Sequence, residues 1–285
     1  MLISLLRRAK HAGFVATTRA RRGARSGWIA GTSLLWGAIP SRRTFDRSRY
    51  RRSFVLWDAP PGAETLPVPR RLFCLWTGDN PMSGNRLRSL DALREANSDL
   101  DVQLVTTESL PQWELPEHPI HPAYRNLSLV HRSDYLRAYL LCHHGGAYSD
   151  LKELRTPVGA YLDAFDDPDL WMVGYPEVST GWVGQLPRTL GAELRRAYTS
   201  IPGGSFFIVR PGTPLVREWL AEVERRLDYY EELLEQNPGG VRNELPHYPI
   251  GWNKLLAQVM HPLAYKHAAH VRVLPELRPR LEDYQ

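Results

Sequence analysis

The sequence predicts an α/β fold, and three observations carry that prediction. Short apolar runs suited to buried strands recur at 71–77, 101–106, 147–151, 170–175 and 205–209. Segments with apolar residues at helical spacing lie among them, at 83–96, 133–144 and 213–236. Glycine- and proline-bearing breaks separate the two kinds of segment. At 285 residues, 43% hydrophobic and 24% charged, the chain has the composition of a packed globular protein of one large domain or two small ones.

Each element has its own signals. Pro60, Pro61, Gly62, Pro67 and Pro69 read as a rigid linker before the first strand. The run Arg71–Thr77 stops at Gly78-Asp79-Asn80-Pro81, as a buried strand entering a loop does. Leu87, Leu90 and Leu93 then give Ser83–Ala96 a helical stripe, and Asp101–Thr106 is a second strand. A helix is expected over Ser133–His144, with Ser133 as N-cap and closure at Gly145-Gly146, where a left-handed backbone costs little. Ala147–Leu151 is the next strand, followed by Leu170–Tyr175 and Ser205–Val209. Thr213–Gln236 is the strongest helix, with Val216, Trp219, Leu220, Val223 and Leu227 on its stripe and Asn237-Pro238-Gly239-Gly240 as its stop.

The formal net charge of +5 is unevenly spread. Residues 1–52 hold 13 Lys/Arg and one acid, Asp46, leaving 23 basic and 30 acidic side chains in the other 233. The chain therefore divides into a basic extension, 1–52, and a mildly acidic body, 53–285. Arg-rich sequence around Leu2, Ile3, Leu5, Leu6, Phe14, Trp28 and Trp36 reads either as a solvated leader or as peripheral attachment to anionic lipid. A nucleic-acid partner is disfavoured, because the body lacks a basic stripe interleaved with aromatics.

Cys74 and Cys142 sit singly in apolar runs, which supports neither a disulfide framework nor a cysteine zinc site. The longest membrane-like run, Trp28–Ile39, has glycines and hydroxyls and is shorter than the roughly 20 residues of a spanning helix. In the early apolar run the arginines follow rather than precede, against a signal peptide. The expected location is cytoplasmic, at the inner face of the membrane if the basic extension binds lipid.

Chemistry concentrates between residues 133 and 152. Asp134 and Arg137 are three apart and share a helix face. After the double glycine, strand alternation puts Tyr148, Asp150 and Lys152 on one side. These five groups would meet where a helix faces the carboxyl end of a strand, the place where open α/β sheets bind ligands. Each charge pair alone is what an ordinary surface ion pair looks like; the combination with the glycines is what points to a site.

The pattern S-D-x-x-R, then Gly-Gly, then Tyr-x-Asp resembles the DXD-type sugar transferases of the capsular-polysaccharide-synthesis group and their mannosyl- and toxin-type relatives. The resemblance covers roughly residues 70–265 and is strongest over 131–152. It extends to Arg71–Gly78 as first strand and nucleotide loop, to Ser205–Gly212, and to Pro249-Ile250-Gly251-Trp252 as a loop over the donor. It implies a GT-A fold, with a Rossmann-like nucleotide-sugar-binding sheet, and a retaining transfer from a UDP-sugar to a glycan or lipid-linked acceptor in surface polysaccharide synthesis. By position it assigns donor binding to Trp76, Asp134, Arg137, Tyr148, Gly145, Gly146 and Trp252, with Trp76 stacking on the uracil. Asp150 and Lys152 fall at the catalytic positions, Asp150 also as the metal ligand.

Lys152 departs from that pattern. Where the family has a second acid for Mn²⁺ or Mg²⁺, this chain has an ammonium, which cannot ligate a cation. Either Asp150 holds the metal with another ligand, or Lys152 itself neutralises the leaving diphosphate. The histidines show no zinc-site spacing; His247 and His261 flank the C-terminal loop and are candidates for a remote metal or phosphate contact. Ser179–Pro187, with Trp182, is a candidate acceptor loop. A non-catalytic nucleotide-sugar or glycan binder is the alternative.

Overall fold

The computed structural model describes residues 21–39, 44–60, 66–242 and 244–280. A six-stranded sheet lies at the centre, in the order β2-β1-β3-β5-β4-β6. The strands are β1 (Arg71–Trp76), β2 (Asp101–Thr106), β3 (Gly146–Ser149), β4 (Met172–Pro176), β5 (Pro202–Val209) and β6 (Val271–Val273). β5 is antiparallel to both its neighbours, and the other pairings are parallel. The carboxyl ends of β1, β2, β3, β4 and β6 therefore share one edge, together with the amino end of β5.

The helices are α1 (21–38), α2 (Gly84–Ala96), α3 (Leu129–His143), α4 (Gly159–Leu162), α5 (Arg188–Arg196), α6 (Pro214–Gln236) and α7 (Ala257–Lys266). Both faces of the sheet are covered, and the central strands show it by alternation. Phe73 and Leu75 of β1, with Phe207 and Val209 of β5, join one apolar layer that includes Tyr135, Tyr139, Trp219 and Leu263. Leu72, Cys74, Phe206 and Ile208 point into the other, with Leu90, Leu93 and Phe165. Strands buried on both faces read as continuous apolar runs, which is why β1 and β5 are conspicuous in the sequence. Cys74 and Cys142 are both buried and free. No helix among the described residues is long and apolar enough to cross a membrane.

Two expected boundaries move, with consequences for the site. α3 begins at Leu129, and its N-cap is Ser128, whose hydroxyl accepts the His131 N–H at 3.3 Å. Ser133 is thus inside the helix, where its Oγ accepts from Arg137 at 3.2 Å. β3 ends at Ser149, not Leu151. The Lys152 N–H returns to the Asp150 carbonyl at 2.6 Å, so Lys152 reaches the site by a tight turn and not by strand alternation. On α2, Leu90 and Leu93 are buried as expected, but Leu87 is exposed. α1, α4, α5, α7 and β6 are additions to the elements expected from sequence.

Packing is continuous across residue 52. Tyr50 and Val55 are both core residues. The Tyr50 hydroxyl donates to the buried Glu193 carboxylate of α5, which Arg49 also pairs with.

Candidate functional site

α3 ends where Gly145 and Gly146 turn the chain into β3, at backbone φ of +64° and +97°. A Cβ on Gly145 would stand 2.4 Å from Pro211 Cδ, and one on Gly146 would stand 2.8 Å from the Arg71 carbonyl oxygen. Glycine is required here for both conformation and space. The consequence is an α3 running alongside β3, with its middle turns beside the strand's carboxyl end.

At that end the charged side chains converge. Arg137 donates to Asp150 Oδ1 at 3.2 Å and to the Gly204 carbonyl at 3.0 Å, and lies 3.6 Å from Asp134 Oδ1. Its guanidinium also sits over the Tyr148 ring, 4.6 Å from the centroid. The Tyr148 hydroxyl donates to Asp150 Oδ1 at 2.7 Å. Lys152 Nζ donates to Asp150 Oδ2 at 2.8 Å and to Ser205 Oγ at 2.9 Å. Asp150 is thus the hub of a largely buried network of two cations, a phenol and a second acid.

Burial works against the charge of Asp150, but Arg137 and Lys152 outweigh it and hold the carboxyl at about 2. Asp134 is the reverse case. Burial raises its pKa, and the Arg137 charge only partly offsets this. Burial also drives the Tyr148 phenol well above its ordinary range, so it remains a hydrogen-bond donor.

Of the residues expected from sequence, Asp134, Arg137, Tyr148, Asp150 and Lys152 come together. Trp76 lies on the same sheet edge, half-buried, with its indole N–H donated to the Asn80 carbonyl at 2.7 Å. Trp252 is exposed, and its carbonyl is 3.3 Å from His131 Nε2, one turn of α3 before Asp134. Gly145 and Gly146 are not brought to the cluster. They sit at the amino end of β3, a strand length of about 13 Å from Asp150. In this structure they turn the chain at the far end of β3 from those five side chains.

The donor set does not fit a hard divalent cation. Such a cation needs several oxygen ligands, and both Asp150 oxygens already accept from Arg137, Tyr148 or Lys152. Among the described residues no group of three or more His, Cys, Asp or Glu side chains is placed to hold a metal ion.

Sequence reasoning missed the other half of the edge. Gly204 and Ser205 at the start of β5 supply a carbonyl and a hydroxyl to the cluster, from more than 50 residues away in sequence. Glu177 directly follows β4 and is buried, and burial pushes its carboxyl up to about 7. Its Oε1 is 3.6 Å from His261 Nε2 of α7. Burial drops His261 to about 3, so this is not an ion pair. His261 Nδ1 accepts the Gly184 N–H at 3.0 Å and so fastens the 179–187 loop to α7. This fully buried ring is a loop anchor, poorly placed for the metal or phosphate contact expected of it. A buried acid immediately after a strand's carboxyl end was the available signal for Glu177.

Comparison with known proteins gives little more. No family model matches the chain, and no curated protein matches it. Among solved structures it is similar to the PaToxG glycosyltransferase, at 12% identity and a TM-score of 0.39, covering 70% of this chain and 69% of that one. It is also similar to mouse xyloside xylosyltransferase 1 in its apo form, at 9% identity and a TM-score of 0.36, covering 73% and 85%.

Proposed function

We propose that the chain is a glycosyltransferase of the GT-A type, moving a sugar from a nucleoside diphosphate, a UDP-sugar by family resemblance, to a glycan or lipid-linked acceptor. The observation that carries the reading is the Arg137–Asp150–Lys152 network at the carboxyl edge of the sheet, formed by the stretch that resembles the DXD transferases. Retention of configuration and a role in surface polysaccharide synthesis rest on that resemblance alone.

In this reading Arg137 and Lys152 share their hydrogen bonds between Asp150 and the donor diphosphate. A fixed, desolvated cation stabilises charge developing on a leaving group without having to reorganise. Asp150 stays ionised and orients both cations, while the Tyr148 hydroxyl and Ser205 Oγ keep the carboxylate and ammonium in place. Because the donor set does not suit a metal, the transfer proceeds without Mn²⁺ or Mg²⁺.

The test is release of UDP from a panel of UDP-sugars, with Mn²⁺ and with EDTA, for wild type, Asp150→Ala and Lys152→Ala. Turnover that survives EDTA and is lost in both variants is the expected result. Turnover abolished by EDTA would reject the ammonium-for-metal step. Saturable UDP binding without turnover on any donor would instead support the non-catalytic binder, for which the Lys152 ammonium capping Asp150 is the favouring observation.

A further inference from the structure

α1 seats a mixed face inward, with Thr32 and Ser33 beside the half-buried Ile29 and Trp36, the latter packed against the core. Thr32 Oγ1 meets Thr180 Oγ1 at 2.8 Å, the Thr180 N–H donates to Ser33 Oγ at 3.0 Å, and the Tyr198 hydroxyl donates to the Ser33 carbonyl at 2.9 Å. Ile29 touches Gly181. The opposite side, at helical spacing, is Gly27, Trp28, Gly31, Leu34, Leu35 and Ala38, all exposed and with no charge among them. Leu34 is 78% exposed and Trp28 53%. A surface helix in water pairs its inward apolar residues with a polar outer face, whereas α1 is uncharged and largely apolar on that outer face too.

Other exposed groups of a particular kind belong to the elements around α1. Trp182, 63% exposed, projects from the loop that α1 grips. Arg195 of α5 lies 5.7 Å from the Trp28 ring, and Arg21, Arg22 and Arg25 occupy the first described turns of α1. We infer that α1 and Trp182 form a docking face for an anionic bilayer surface, with α1 lying in the plane of the interface. Exposed tryptophans and leucines ringed by arginine, on a helix that cannot span, are what the headgroup region accommodates. Charge complementarity chooses the occupant: residues 1–52 carry 13 basic side chains and one acid. A second copy of the chain fits less well. A face about 27 Å long and one helix wide falls short of the roughly 800 Å² that each partner buries in a stable interface.

The 177–187 loop on which α1 sits leaves the carboxyl end of β4, on the same sheet edge as Asp150. Docking through α1 therefore brings that edge to the membrane. That the acceptor is membrane-held follows only if the transferase reading stands; the docking itself does not depend on it.

The experiment is co-sedimentation of the full chain with phosphatidylcholine vesicles, and with vesicles containing about one-third phosphatidylglycerol. It compares wild type, Leu34→Glu/Leu35→Glu and Trp182→Ala, with solution mass by light scattering in parallel. Wild type should bind the anionic vesicles and not the neutral ones. The double glutamate variant should lose at least tenfold in bound fraction at an unchanged unfolding midpoint, and Trp182→Ala severalfold. Absence of wild-type binding, equal binding by the glutamate variant, or a wild-type dimer that this variant returns to monomer would each overturn the proposal. UDP release does not enter these readouts, so failure here is separable from failure of the transferase reading.

Discussion

At Asp150, burial and electrostatics oppose each other and the two cations win, so the side chain is a sensitive reporter of its neighbours. A free aspartic acid titrates near 3.9; here the group is held at about 2. Its stabilising contribution is therefore present above pH ~4 and lost as pH falls through about 2. Lys152→Ala removes one of the cations and leaves a buried carboxylate less compensated. It should cost about 3 kcal/mol in urea unfolding at pH 7, shift acid unfolding to higher pH, and slow UDP release at least ~100-fold. Glu177 has the opposite sign. With its carboxyl at about 7, against an ordinary glutamate near 4.3, the native state binds the proton more tightly than the unfolded chain. Its relative stabilisation is present below pH ~4.3 and is lost as pH rises through about 7. Glu177→Gln should unfold with wild type at pH 4 and be more stable by about 3–4 kcal/mol at pH 8.5. A urea midpoint difference that does not change with pH would contradict this assignment.

The elements that hold these residues differ in how far the sequence discloses them. Gly145 and Gly146 show how a local pattern can locate a feature whose surroundings are set by distant parts of the chain. The double glycine does end α3, as its left-handed backbone allows, yet the fold spends it on passing Pro211 and the Arg71 carbonyl, a strand length from Asp150. Gly145→Ala should therefore destabilise by roughly 2–4 kcal/mol, combining left-handed strain with overpacking, while the folded fraction keeps wild-type affinity for UDP in titration calorimetry. A weakened UDP affinity at full folding would restore the donor-binding role. β1, β2, α2 and α6 were legible because their apolar runs or stripes are long and locally stopped. β6 has three residues and α7 carries Pro262 and His261, so neither shows a clean period. α1 escaped because apolar residues line both of its sides, Ile29 and Trp36 inward and Trp28, Leu34 and Leu35 outward, so no single stripe stands out. Within the site, the convergence of Asp134, Arg137, Tyr148 and Asp150 was readable from spacing, whereas Lys152 arrives through a turn that strand alternation does not foresee. Ser205, Gly204 and Glu177 were not readable, because only the sheet order places the start of β5 between the ends of β3 and β4.

Across the whole molecule, the boundary between basic extension and acidic body does two separate jobs, and graded deletion can tell them apart. α1 is held by hydroxyl contacts to Thr180 and Tyr198, by Ile29 against Gly181 and by the half-buried Trp36 at the edge of the core. Net contributions from such hydrogen bonds are about 1 kcal/mol each. Residues 44–58 are held quite differently. Tyr50 and Val55 fill the core, and Arg49 and Tyr50 both partner Glu193, which is buried in α5. Removing one side of a buried charged pair costs about 3–5 kcal/mol. A chain lacking residues 1–43 should therefore keep most of its stability and lose vesicle binding, since it lacks α1. A chain lacking 1–52 should lose vesicle binding too, but unfold at least about 3 kcal/mol more easily than the first in urea. Its UDP-sugar turnover should fall as well, because α5 directly follows the 179–187 loop at the site edge. If the two deletions proved equally stable, the Glu193 cluster would not be what ties the extension to the body. If the shorter deletion alone collapsed the fold, α1 would be a structural brace and its outward apolar side would need no membrane to explain it.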